Sequence, residues 1–412
     1  MLPFSHADFA PLPSAIKKQP ADFVVEEIPA YEPCGQGTHL YFGIEKMGLA
    51  TIRAIEEIAR LLGTRPDRIG YAGRKDAEAI TRQVLSIEHV EPEKVAALEH
   101  QQIKVLWTRR HTNKLKLGHL RGNRFTVRLR ETEPERLGEL RDRLAVLERE
   151  GAPNYFGTQR FGAGGRTWKL GQALLAEDWV EMAAVLLGRP GEADTGAVQR
   201  ARALFEQGAF LEAARAWPRS HRDEGRAARV LAESGDERRA MSSLHPRARR
   251  LYVDSLQAHV FNQVLAQRID TMGRVMEGDV AWLHRNGATF AVEDRQREQA
   301  RCEAGEISPS GPLFGPKMKA ATGEPRRIER AALEETGLRE EMFAGPAAGK
   351  CQGGRRALRM FPEQTRTEAG KDTGGAYLEI GFTLRPGCYA TSLLRELCHA
   401  ELTEPERHRP SE

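Results

Sequence analysis

Near the end of the chain Ala376, Leu378, Ile380, Phe382 and Leu384 fall on every second position, the signature of a β-strand. A strand needs neighbours to satisfy its backbone, so this one demands a sheet from elsewhere in the sequence. The residues just before it offer none. Residues 345–375 are poor in large apolar side chains and rich in Gly, Arg and Thr, and read as mobile connecting chain. Residues 198–268 are rich in Ala, Arg and Glu and read as mostly helical, with Leu256, Val260, Val264 and Ile269 along one face. The first 165 residues provide a sheet for it to pair with. At 412 residues the protein exceeds one typical domain. The simplest arrangement is a discontinuous domain of residues 1–175 and 355–412, interrupted by a second domain of residues 176–354.

The start supplies the strands. Residues 22–28 and 38–45 read as strands, the second with Leu40, Phe42 and Ile44 on one face. Ile52, Ile55, Ile58 and Leu62 recur at helical spacing, and Gly63 stops that helix. Residues 69–72 and 83–87 are further strands, and 134–150 and 389–400 read as helices. In the second domain 280–292 could supply strands, whereas the proline-rich 308–316 reads as a loop.

Between strands 69–72 and 83–87 the chain turns through Gly73-Arg74-Lys75-Asp76, placing one carboxylate beside two cations on a loop held by a rigid scaffold. The plainer reading is a polar turn whose Asp bonds its own backbone. For Lys75 it is a surface lysine. Residues 101–130 carry Lys104, Arg109, Arg110, Lys114, Lys116, Arg121, Arg124, Arg128 and Arg130 with no acid among them. Phe125, Val127 and Leu129 point inward there and Arg124, Arg128 and Arg130 outward. A short charged run is usually a solvated face, but one this long of a single sign suits a surface that tracks phosphates. Asn154-Tyr155-Phe156-Gly157-Thr158-Gln159-Arg160-Phe161-Gly162-Ala163-Gly164-Gly165-Arg166 then interleaves three aromatics with Asn, Gln and two Arg in a glycine-rich loop. It reads either as a packed loop or as a platform on which a base stacks.

Other chemistries lack their motifs. Residues 345–351 are one residue short of a phosphate-binding loop and lack its Ser or Thr, and no dinucleotide fingerprint, G-x-S-x-G or H-E-x-x-H occurs. The five scattered cysteines, Cys34, Cys302, Cys351, Cys388 and Cys398, have neither zinc-ligand nor disulfide-framework spacing, which suits a reducing cytoplasm. No run is long and apolar enough for a membrane span. What is left is a lone carboxylate, a basic surface and a stacking loop. A single Asp can attack a sugar or base carbon, or take a proton, without metal or cofactor, provided the base leaves its stack and is held by an aromatic.

On these residues the chain resembles the TruD family of pseudouridine synthases. The likeness runs from Ile16-Lys17 and Asp22-Phe23-Val24-Val25-Glu26 through Ala72-Gly73-Arg74-Lys75-Asp76. It continues over Arg110-His111 to Lys114-Leu115-Lys116-Leu117-Gly118, Gly122-Asn123, the N-Y-F-G-x-Q-R-F-G stretch, Phe261-Asn262-Gln263 and Tyr389-Ala390-Thr391-Ser392. The resemblance implies an α+β fold: a mixed, mainly antiparallel sheet with flanking helices, interrupted by an inserted α/β domain. It also implies conversion of uridine 13 of tRNA to pseudouridine. The sequence calls for no cofactor, metal or obligate protein partner, and for nothing more than a cytoplasmic monomer. Asp76 matches the catalytic aspartate, Phe156 the aromatic that stacks on the flipped uracil, Asn154 its neighbour in the base pocket, and Lys17 a lysine near the carboxylate. Lys75, Arg160, Arg110 and Lys114 are further candidates for holding the RNA. The rival reading is a catalytically idle tRNA-binding or tRNA-folding protein on the same scaffold. Residues 198–250 are longer and more charged than the resemblance leads one to expect.

Overall fold

The computed structural model describes residues 2–75 and 77–402. Contacts divide the chain into two compact units, residues 6–152 with 360–402 and residues 2–5 with 153–359. Residues 153–175, grouped in the sequence with the first domain, thus pack within the second unit.

The first unit is built on an eight-stranded sheet. Its order is Glu363–Asp372, Gly375–Leu384, Leu120–Leu129, Phe23–Pro29, Ile80–Glu88, His39–Met47 and Ile103–His111, with Gly70–Tyr71 also paired to Ile80–Glu88. All neighbours are antiparallel except Phe23–Pro29 with Ile80–Glu88. The late strand finds its sheet where the sequence requires it: Ile380 pairs with Val127 and Phe382 with Phe125, whose rings stack 5.2 Å apart. Helices Leu137–Glu150 and Ala390–Cys398 bury Leu140, Leu144, Leu147, Leu393, Leu394 and Leu397 against this part of the sheet. Helix Thr51–Leu62 packs Ile55, Ile58 and Leu62 on Leu40, Phe42 and Ile44, and ends at Gly63, whose φ of 63° is the left-handed conformation of a C-terminal stop.

Two readings of this region are corrected. Much of the stretch read as connecting chain is strand Glu363–Asp372, which forms a hairpin with Gly375–Leu384. As an edge strand with mostly polar, exposed side chains it has no apolar alternation to betray it. Arg128 and Arg130 do not form an open basic face. Arg130 is buried, donating to Asp22 (2.6 Å) and to Asp372 (2.7 Å), while Arg128 donates to Glu379 (3.0 Å) and Asp372 (3.1 Å). Both guanidinium groups lie over the Tyr377 ring. Their acidic partners are remote in sequence, so a local charge count cannot see them.

The second unit is mainly helical. Helix Pro246–Gln267 is its axis, burying Leu256, Val260 and Val264 against helices Thr167–Leu175 and Trp179–Leu187 and those that follow. A Cβ on Gly171 would collide with the carbonyl oxygen of Tyr252, so glycine sets how closely the first two of these helices approach. A four-stranded antiparallel sheet completes the unit in the order Gly354–Ala357, Ile307–Leu313, Val280–Leu283, Thr289–Ala291. Ile307–Leu313 overlaps the segment whose prolines suggest a loop, and the adjoining Gly354–Ala357 lies in the one whose composition suggests connecting chain; both are strands. Proline keeps its carbonyl, and Pro309 accepts from the amide of Leu358 at 2.9 Å. The buried serines are satisfied by buried arginines: Arg359 donates to Ser308 (3.1 Å) and Arg355 to Ser310 (3.0 Å). Gly311 leaves room for the Phe261 ring.

The Arg130 network gives a pH prediction. The hydrogen bond from Arg130 holds the Asp372 carboxyl down at about 2. Because the folded value lies below the unfolded one, the contribution is complete above roughly pH 4 and is lost as pH falls towards 2. Urea unfolding followed across that window should show Asp372→Asn losing less stability to acid than the wild type.

Candidate active site

Strands Phe23–Pro29 and Ile80–Glu88 pair in parallel only through Val24, Val25 and Glu26. Just beyond, Glu27 accepts from the amide of Val84 (3.2 Å) and from Nζ of Lys75 (2.9 Å). The Lys75 and Glu27 side chains are 5% and 1% exposed, so this is a buried ion pair and Lys75 is no surface lysine. The backbone of Lys75 is tied as well. Its N–H donates to Oγ1 of Thr51 (2.8 Å), its carbonyl accepts from the amide of Thr51 (3.3 Å), and the Thr51 hydroxyl donates to Gln83 (2.8 Å). The loop is therefore pinned one residue before Asp76. Asp76 itself lies outside the described residues.

Lys17 is buried and has φ +58°, a left-handed backbone that a side chain adopts only at a cost. It follows the bridge in which Ala15 and Arg130 exchange backbone hydrogen bonds of 2.9 Å, and its ammonium stands 5.1 Å from the centre of the Phe23 ring. Arg110 donates to Glu91 at 2.6 Å, and Lys114 to the carbonyl of Asp67 at 2.7 Å.

The other candidates, Asn154, Phe156 and Arg160, belong to the second unit. Phe156 is clamped through its backbone by one amide side chain: its N–H donates to Oδ1 of Asn262 (2.9 Å) and its carbonyl accepts from Nδ2 (3.0 Å). Its ring meets Phe261 edge-on at 5.4 Å and lies 4.1 Å from the guanidinium of Arg356, with that of Arg160 at 5.6 Å. Asn154 donates to the carbonyl of Ala357 (2.9 Å) and accepts from Arg356 (2.5 Å). Its amide therefore orients Arg356 over the ring. Arg160 also approaches Asp254 at 3.9 Å.

The family model described as tRNA pseudouridine synthase D (TruD) matches residues 6–397. The chain belongs to the TruD family. Its similarity to the tRNA pseudouridine synthase D of Geobacter metallireducens is 42% identity over 383 residues, covering 93% of this chain and 94% of the relative. That of Geobacter sulfurreducens is 41% identical over 382 residues, covering 92% and 93%. A crystal structure from Methanosarcina mazei that carries the same TruD designation superposes with a TM-score of 0.80 at 25% identity, over 97% of this chain and 96% of that one. The α+β fold with its mainly antiparallel sheet is thus a TruD fold.

Within this TruD chain three residues at the candidate site were not singled out from sequence: Glu27, Thr51 and Arg356. Glu27 left a trace. Adjacent Glu26 and Glu27 in one strand face opposite ways, and an inward carboxylate requires a cation. Arg356 left none, being some two hundred positions from the ring it covers.

The ion pair yields a stability prediction. Removing one partner strands the other in a dry site at a cost of roughly 3–5 kcal/mol, whereas removing both costs less. Glu27→Gln alone should lose about that much in denaturant unfolding, and Glu27→Gln with Lys75→Met should recover a good part. Additive losses would show the two side chains to be uncoupled.

Proposed function

We propose that the chain isomerises uridine to pseudouridine in tRNA, at position 13, with Asp76 as the catalytic residue. The observation that carries this is the G-R-K-D loop and the N-Y-F-G-x-Q-R-F-G stretch together in a chain matched by the TruD model over residues 6–397, whose relatives are named tRNA pseudouridine synthase D. The bond from the ribose to N1 of uracil breaks, the base turns, and C5 bonds to the same sugar carbon. The C5 hydrogen departs as a proton and N1 gains one. Atoms and electrons balance within the nucleoside, so no co-reactant is consumed.

Asp76 starts the reaction as nucleophile or as base. Lys17 favours its charged form, and an ammonium in a buried position does so strongly. Phe156 stacks on the flipped uracil with Asn154 beside it, and the clamp from Asn262 supports this reading because a stacking ring must be held still. Lys75 serves the site through the loop it anchors, while Arg160, Arg110 and Lys114 contact the RNA. The protein works as a cytoplasmic monomer; among the described residues no helix is long and apolar enough to cross a membrane. An idle tRNA binder on this scaffold finds no support in the names of the relatives.

The test is tritium release from tRNA labelled at uracil C5. Wild type should release it from position 13, and Asp76→Asn should release none while binding tRNA nearly as tightly. A wild-type rate in Asp76→Asn would remove Asp76 from the mechanism. Tight binding with no release by wild type would leave the idle binder.

A further inference from the structure

Strand Ile103–His111 is the last in its sheet, and its register on His39–Met47 shifts between Gly43 and Ile44. That irregularity decides which side chains share a face. Lys104 pairs with Glu45, Trp107 with Gly43 and Arg109 with Tyr41, and residues 41, 43 and 45 point the same way. Lys104 and Trp107, three apart and so on opposite faces of a regular strand, are brought to one side. They stand in a row with Arg109.

Trp107 is 40% exposed on that side. The indole sits over Gly43, where any Cβ would collide with it, so the ring is seated in a slot that glycine leaves open while its remaining surface meets solvent. Neither Lys104 nor Arg109 forms an ion pair among the described residues, unlike the neighbouring Arg110, which is held by Glu91. Trp107 also lines a narrow cavity with Tyr41 and Glu27, the carboxylate that anchors Lys75 next to Asp76.

An exposed indole between two cations that stand outside any ion pair among the described residues suits a base flanked by its phosphates. We propose that Trp107, with Lys104 and Arg109 beside it, stacks an unpaired nucleobase of the RNA substrate, that of a nucleotide flanking the reacting uridine. This rests on the reading of the protein as a tRNA-modifying enzyme. What points to a flanking nucleotide is that Trp107 and Glu27, the anchor of Lys75, line the same small void.

The test uses the full chain and tRNA, with tritium release and tryptophan emission as separate readouts. Trp107→Ala should raise KM about tenfold, the scale of one lost base–aromatic contact, with kcat close to wild type. Trp107→Phe, which keeps a stacking face, should recover most of it. Emission of the wild type should be quenched by tRNA, and Trp107→Phe should lose a large part of that quench. A wild-type KM in Trp107→Ala with the quench unchanged in Trp107→Phe overturns the proposal. So does a fall in kcat and in thermal stability at constant KM, which marks a packing role. If wild type releases no tritium, the enzymatic reading fails by itself, and the quench decides the stacking site alone.

Discussion

A lysine buried beside a strand is tolerated only if a carboxylate meets it, and Glu27 is the carboxylate that meets Lys75. The pair sits where two parallel strands part after three matched residues, a gap in which backbone groups would otherwise go unsatisfied. Glu27 fills it twice over, accepting from the Val84 amide with one oxygen and from Lys75 with the other. Thr51 and Gln83 complete the anchor. On the proposal that Asp76 is catalytic, its loop must be held to a fraction of an ångström, and Glu27, Thr51 and Gln83 fix the loop at Lys75.

Arginine is used in two opposite ways. Arg130, Arg355 and Arg359 are buried and satisfied by carboxylates, serines and carbonyls, and so act as rigid fillers in places where the sheets carry polar side chains inward. Arg356 lies over an aromatic ring, where a planar guanidinium both stacks and donates. Only part of the basic stretch at 101–130 remains turned to solvent. A charge run in sequence thus overstates the basic surface whenever acids far along the chain fold back on it. Asp372 and Glu379 do so here.

Much of the fold was legible because periodicity is local. The alternation at 376–384 required a remote partner, and Leu120–Leu129 is that partner. Helix Thr51–Leu62 and its glycine stop, and helices Leu137–Glu150 and Ala390–Cys398, follow from spacing and caps. The strands that escaped are those whose stability is not local. Ile307–Leu313 looks like a loop because its buried serines are satisfied by arginines some fifty residues away and Pro309 still accepts a backbone hydrogen bond from Leu358, and Glu363–Asp372 looks unstructured because an edge needs no apolar face. Around the candidate site, Lys17, Asn154 and Phe156 enter as candidates through the motifs that carry the family resemblance, and folding shows how each is held. Glu27, Thr51 and Arg356 were not legible, since each acts through a partner that only folding brings near.

The Glu27–Lys75 pair holds the loop that leads to Asp76. This role is tested most directly by the single-turnover rate of pseudouridine formation in Glu27→Gln, at saturating tRNA and at a temperature where the variant is fully folded. The rate should fall by about a hundredfold, the scale of a displacement near one ångström, with tRNA affinity little changed. A wild-type rate in folded Glu27→Gln would show that the loop holds its geometry without the pair.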